Sequence, residues 1–251
     1  MKRLSLLVFL LMSVKLIFGQ ATIKDSVINS TFIGFSYGFQ MPGADLAKTF
    51  GNNSRINFSA GLKLDHNWMF EVGGNYLFGN DVKIGDSLVQ NFSTAEGYLV
   101  GINGFTDQVL MNERGFGFDS RMGKIFPLLS PNPNSGIRLM AGVGFVEHKI
   151  KIVDLGAQLP QLQNEYVKGY DRLTNGISLH QTLDYVFFDP KRFVNLEFGF
   201  DFTEAFTKNR RTWNFDQMQQ DIEPKLDLFY GVHLGFYIPF YGTHEDVFYY
   251  N

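Results

Sequence analysis

The chain has 251 residues, a formal charge of -3, 27 Phe, 11 Tyr, 26 Gly and no cysteine. The weak charge gives no support to a nucleic-acid partner, and the missing cysteines remove disulfides, thiolate metal sites and a lipid-modified cysteine. Beyond the N-terminus there is no run of about 18 apolar residues, which excludes helical membrane spans.

The first element is a sorting label over residues 1–19. Lys2 and Arg3 make a basic start, Leu4 to Leu11 an apolar stretch, and Phe18-Gly19-Gln20 a cleavage context. Residues 20–29 are polar and read as a periplasmic segment. Period-two alternation then begins, which is strand periodicity. Residues 30–40 send Ile33, Phe35, Tyr37 and Phe39 to one face and Gly34, Ser36, Gly38 and Gln40 to the other. Residues 55–65 repeat the pattern with Ile56, Phe58, Ala60, Leu62 and Leu64 against Asn57, Ser59, Gly61, Lys63 and Asp65. His66-Asn67 is the expected tight turn, and residues 68–78 set Phe70, Val72 and Tyr76 against Glu71, Gly73 and Asn75.

Four more strands are expected at 114–126, 136–147, 176–188 and 193–206, with Pro127 and Asp189-Pro190 as stops. The closing strand, 226–241, has Leu228, Tyr230, Val232, Leu234, Phe236, Ile238 and Phe240 on one face. Its other face carries Phe229, Gly231, His233, Gly235, Tyr237 and Pro239 and reads as small, while Phe236, Tyr237, Phe240 and Tyr241 read as an aromatic girdle. The expected connections alternate long and short, as in a barrel with loops outside and turns in the periplasm. The fold class expected is therefore all-β: an eight-stranded antiparallel up-and-down transmembrane barrel over residues 30–241, with a periplasmic tail at 242–251. A soluble barrel would place its apolar residues inside and polar ones outside, the reverse of this pattern.

With apolar residues outward, the inward ring holds Lys63, Asp65, Glu71, Asp119, Arg121, Arg138, His180, Asp184, Glu197, Asp201 and His233. Such a set is either an ion path or proton relay, or an ion-paired plug, and the plug is the reading taken because lone buried charges are costly. The scattered histidines show no metal-ligand spacing. His148 with Asp171 offers a rim pairing for catalysis, but loops of this size produce such pairings by chance, so neither catalytic residues nor a cofactor, metal or small-molecule substrate is expected.

The loops are richer in interface residue types. Arg210, Arg211, Trp213 and Phe215 cluster in one loop, which either docks a partner or folds over the mouth. Residues 97–104, Gly-Tyr-Leu-Val-Gly-Ile-Asn-Gly, are too apolar for a free segment and either cover the mouth or meet another protein. Phe248, Tyr249 and Tyr250 make the tail a rival docking site.

The signal ending Phe18-Gly19-Gln20, the short aromatic strands and the closing Gly235-Phe-Tyr-Ile-Pro-Phe-Tyr241 resemble small outer-membrane barrels of the Bacteroidota, the OmpA-like or PorT-like group. The chain departs from full OmpA proteins in lacking a C-terminal peptidoglycan-binding domain. The loop Arg210-Arg-Thr-Trp-Asn-Phe-Asp216 and the long Gly-rich second loop are similar to those of barrels in the type 9 secretion and gliding machinery. The resemblance implies a non-catalytic accessory or docking subunit, with outer-membrane lipids and other proteins of a membrane complex as partners. Alternatives are a stand-alone barrel (adhesin, structural protein or narrow channel) and a rim-active enzyme. Asp25-Ser26-Val27 and Asp86-Ser87-Leu88 also match a short O-glycosylation pattern of that group.

Overall fold

In a computed structural model, residues 27–189 and 195–241 are described. The strands are β1 (Ser30–Ala44), β2 (Asn53–Lys63), β3 (Trp68–Gly79), β4 (Leu99–Val100), β5 (Thr106–Asp107), β6 (Val109–Phe126), β7 (Gly136–Asp154), β8 (Thr174–Phe188), β9 (Asn195–Asn209) and β10 (Pro224–Tyr241). All but the β4–β5 hairpin join one closed barrel in the order β1-β10-β9-β8-β7-β6-β3-β2. Every barrel pairing is antiparallel, and β1 closes the ring by pairing β10 from Ser30↔Tyr241 to Ala44↔Asp227. Closure leaves no strand edge with unpaired backbone groups, which is what a wall in hydrocarbon requires.

The face assignment read from periodicity holds on every barrel strand. Phe35, Phe58, Phe198 and Phe236 point outward at 39%, 49%, 55% and 47% exposure, while the inward Lys63, Glu71, Arg138 and Asp184 are buried. At the turn after β2, His66 and Asn67 take φ of 58° and 64°. Left-handed geometry at both central positions is what a tight turn between twisted strands demands, and Asn tolerates it well.

Three expectations change. Asp65, placed in the lumen by alternation, is exposed within the turn segment Asp65–Asn67. The strand ends at Lys63, because the chain must reverse there to pair with β3. Tyr237, which alternation sets on the inward face but which is also counted in the aromatic girdle, leaves the girdle and is buried inside at 3% exposure. The inner face of β10 is also less small than expected, since Phe229 is buried there as well. Finally, β6 and β7 run further than their apolar alternation, pairing from Val109↔Asp154 down to Phe126↔Ile137. Their upper outward residues, Lys149 and Lys151 among them, are not apolar; backbone pairing continues where the wall has left its greasy belt. The signal segment, the tail, and the start of the 193–206 strand before Asn195 lie outside the described residues.

Candidate functional site: polar lumen and loop-end cap

Alternation aims one side chain in two at the barrel axis, and eight strands leave only enough room there for side chains. Midway along the axis these form one ion-paired network. Arg138 on β7, 1% exposed, donates to Asp184 Oδ2 through Nε at 2.8 Å and through Nη2 at 2.6 Å. Its Nη2 also donates to Glu197 Oε2 at 2.6 Å, and Glu71 stands 3.8 Å from its Nη1. Tyr237 hydrogen-bonds both Arg138 and Glu197, which explains why this aromatic faces inward. Arg121 bridges Glu71 at 2.8 Å and Asp119 at 2.7 Å. Arg55 pairs with Asp201 at 2.7 Å, and Gln40 donates to the other oxygen of Asp201 at 3.0 Å. His233 lies between Asp184 and Asp201, 3.1 and 3.3 Å away. His180 is held by Ser178 and Thr203 at 2.9 and 3.0 Å.

The network fills its space. Among Arg55, Asp119, Arg121 and His180 the remaining cavity is about 10 Å³. Asp184, Glu197 and His233 present ligand atoms within 4.8 Å of one another, the one such trio found among the described residues. Arg138 already supplies the positive charge to both carboxylates, so the trio is occupied by a guanidinium.

Apolar layers close the axis on both sides of this network. At the short-turn end, Phe32, Met69, Ile125, Met140, Val186 and Phe188 pack around Tyr237. Below them, Lys63 donates to Asn134 Oδ1 at 2.7 Å and to the Ile28 carbonyl at 3.0 Å, while Asn132 donates to the Phe188 carbonyl at 2.7 Å. Lys63 therefore seals the turn end and stands apart from the mid-lumen network. At the long-loop end, Leu46, Phe50 and Leu88 come down from loops onto Leu77, Val146, Ile150 and Phe229 of the wall.

Above that plug the loops fold onto one another. Arg211 donates to Asp171 through Nε at 2.8 Å and again through Nη2. That hydrogen bonding to Asp171 holds Arg211 above its ordinary pKa. Arg172 pairs with Asp216 at 2.5 Å, yet burial leaves it below its ordinary value. Burial alone would raise Asp221, but hydrogen bonds from Lys225 and Asn209 outweigh it and hold the carboxyl low. Phe215 packs edge-on against Tyr170 beside Leu99, Leu159 and Leu162, and Arg210 donates to Asn175 at 2.5 Å. Within the loop 210–216, Trp213 remains 42% exposed. The apolar segment 97–104 forms the β4–β5 hairpin: Leu99 is buried in the cap, while Tyr98 and Ile102 point out at 60% and 77% exposure.

A cavity of about 300 Å³ opens beneath this cap, lined by Asp45, Lys48, Phe50, His148, Lys225 and Asp227 among others. His148 bonds Asp227 at 2.9 Å, not Asp171, which belongs to Arg211. Thr207 donates to the same Asp227 oxygen at 2.5 Å, and the imidazole stands edge-on to Phe50 and Phe229 at 5.6 and 6.4 Å. Held in this way, the ring braces the mouth.

Sequence reading placed Gln40 inside but missed Arg55, Glu113 and Asp227 as interior groups. Arg55 opened its predicted strand and Glu113 lay just before the next, while Asp227 sits at the start of the inward row of β10. Continuing each alternation by two residues recovers all three. Phe248, Tyr249 and Tyr250 lie outside the described residues.

No protein-family model and no curated protein matches this chain. Among solved structures it is similar to the attachment invasion locus protein Ail of Yersinia pestis, at 10% identity and a TM-score of 0.44, covering 84% of this chain and 99% of that one. It is similar to Neisserial surface protein A at 12% identity and a TM-score of 0.43, covering 84% and 97%. The outer membrane protein OprG from Pseudomonas aeruginosa is similar at 11% identity and a TM-score of 0.37, covering 88% and 100%. The site described above rests on this chain's own residues.

Proposed function

We propose that the chain is an integral outer-membrane barrel that neither conducts nor catalyses, and that it works by holding a protein partner at its long-loop end. The wall's continuous outward row of Phe, Leu, Ile, Val and Tyr fits hydrocarbon and would be an aggregation surface in water. The single observation carrying the functional half is the contrast along the axis: the lumen is filled and plugged, while the loop end exposes apolar side chains. Ile102, Phe105, Tyr166, Met218 and Ile222 stand 77%, 72%, 64%, 69% and 62% exposed above the cap. Large exposed apolar groups beyond the lipid-facing belt are the usual mark of a protein contact.

In this reading the long loops lie outside the cell and both ends of the barrel chain in the periplasm, following removal of residues 1–19. The finer assignment, a docking subunit of a type 9-like secretion and gliding complex, is supported only by the resemblance of the 210–216 loop and of the long Gly-rich second loop. Gentle-detergent affinity purification from the native membrane is expected to recover secretion components with the barrel. Replacing Trp213, Ile102 and Phe105 by Ser is expected to release them while the barrel still inserts; recovery of a lone barrel from the wild type would overturn the assignment. Stable large conductance steps from the refolded protein in planar bilayers would overturn the closed lumen.

A further inference from the structure

The outer wall carries two polar side chains that the docking reading does not use. Gln181 on β8 and Glu204 on β9 both point outward and are half-buried. The register places them diagonally across neighbouring strands, since Leu179 pairs with Glu204 and Gln181 with Phe202. Apolar neighbours continue toward the loop end on both strands, with Ile177 at 67% and Phe206 at 55% exposure. Apolar neighbours also continue toward the turn end, at Leu183 and Phe200. The pair thus sits inside the greasy belt.

Several other outward polar groups of the wall are partnered, although Ser120 on β6 is not. Tyr37 shares a hydrogen bond with Ser54 at 2.7 Å, Asn175 donates to Glu147 at 2.7 Å, and Tyr185 donates to the Leu129 carbonyl at 2.8 Å. Among the described residues, the side chain of neither Gln181 nor Glu204 has a hydrogen bond or ion pair. Unsatisfied polar groups at hydrocarbon depth are costly, and a partner from the membrane removes that cost.

Beside them runs a groove of about 600 Å³ across the outside of five strands, lined by Phe39, Met41, Leu183, Phe200, Tyr230 and Gln181 among others. Phe202 also lines it, two positions along β9 from Glu204. A long apolar trough with the Gln181 amide in its lining and the Glu204 carboxylate two positions beyond Phe202 matches a hydrocarbon chain carrying hydrogen-bond donors near its attachment point. Ester-linked acyl chains have no such donors. An amide-linked or hydroxylated chain has them, and its N–H or O–H can donate to Glu204 and to the Gln181 carbonyl.

We propose that this groove holds one chain of an amide-linked, hydroxylated lipid, with Glu204 and Gln181 selecting it over ester-linked lipids. The proposal rests on the wall being embedded in a bilayer. Its test therefore scores insertion separately: the full-length mature barrel is refolded into phosphatidylcholine bilayer discs doped with ceramide or, as control, with diacylglycerol, which keeps one primary hydroxyl but lacks the amide N–H and the chain hydroxyl. Failure to insert into either disc overturns the membrane reading itself. After gentle extraction, native mass spectrometry counts retained lipid. Wild type is expected to retain ceramide about tenfold over diacylglycerol, the ratio that about 1.4 kcal/mol of hydrogen bonding gives. The Gln181→Leu, Glu204→Leu variant, which only removes polar groups from a lipid face, is expected to insert equally well and lose the preference. An unchanged preference in the variant overturns the site. Equal retention of both lipids by wild type overturns the proposal whether or not the variant folds, as does an inserted wild type found as two copies with the groove empty of lipid.

Discussion

The mid-lumen and the loop-end cap are both built on arginine–carboxylate pairs, yet they are built differently. In the lumen Arg138 serves Asp184 and Glu197 together, with Glu71 close by, and Arg121 serves that same Glu71 and Asp119 from inside a rigid wall. In the cap the pairs are one to one, Arg211 with Asp171 and Arg172 with Asp216, between loops that have no ladder of their own. A shared buried network fails as a unit when one member goes, because each remaining charge is left without its counterion. Separate pairs fail singly, since losing one member leaves a single counterion uncompensated rather than several. The same chemistry therefore makes a rigid strut in one region and an adjustable cover in the other.

The largest effect is expected from breaking the shared network. Arg138→Leu strands Asp184 and Glu197 in the lumen and should cost about 3–5 kcal/mol in reversible unfolding of the refolded barrel. A loss near that of a cap pair would show that the carboxylates are neutralised in some other way. Gly123→Val probes the wall itself, since even a Cβ at Gly123 would lie 2.0 Å from the Leu139 carbonyl oxygen across the ladder. Loss of the heat-modifiable folded band on a gel is the expected outcome.

A smaller effect is expected where the cap meets the wall. Leu88→Ala empties a fully buried position contributed by a loop and should cost about 2–3 kcal/mol. Hydrogen exchange should locate that loss in residues 80–108, with β1 and β10 unchanged; uniform acceleration would mean that cap and wall are one cooperative unit. Arg211→Ala should cost about 1–2 kcal/mol and loosen residues 155–173 and 210–223 only.

The smallest effects belong to the most exposed groups and sharpen the contrast through pH. Hydrogen bonding to Lys48 and to the Leu226 backbone holds Asp45 below its ordinary carboxylate range, and the bonds at Asp221 do the same there. Carboxyls depressed by folding stabilise the folded cap at and above that range. The contribution is lost as pH falls through their lowered values, so proteolysis of the loop 210–223 should rise on acidification below about pH 4 while the barrel stays intact. Trp213→Ala should change stability by no more than about 0.5 kcal/mol, and any effect it has should appear in partner recovery alone.

Hydropathy alternation by itself determined the wall: eight strands, the face each residue takes, and an interior containing Glu71, Arg121, Arg138, Asp184, Glu197, Asp201 and His233. A strand's period of two leaves no freedom once one face is greasy. Tertiary structure decided the rest. Asp65 left the lumen because the turn geometry at His66-Asn67 took precedence over alternation, and Tyr237 followed its alternation rather than the girdle because its hydroxyl has Arg138 and Glu197 to bond. The upper reaches of β6 and β7 were invisible because backbone pairing carries no side-chain signature outside the apolar belt. Which loop residues face each other, Arg211 with Asp171 and His148 with Asp227, depended on closing the ring. Only closure brings residues from distant strands to the same mouth, and no local pattern encodes that distance.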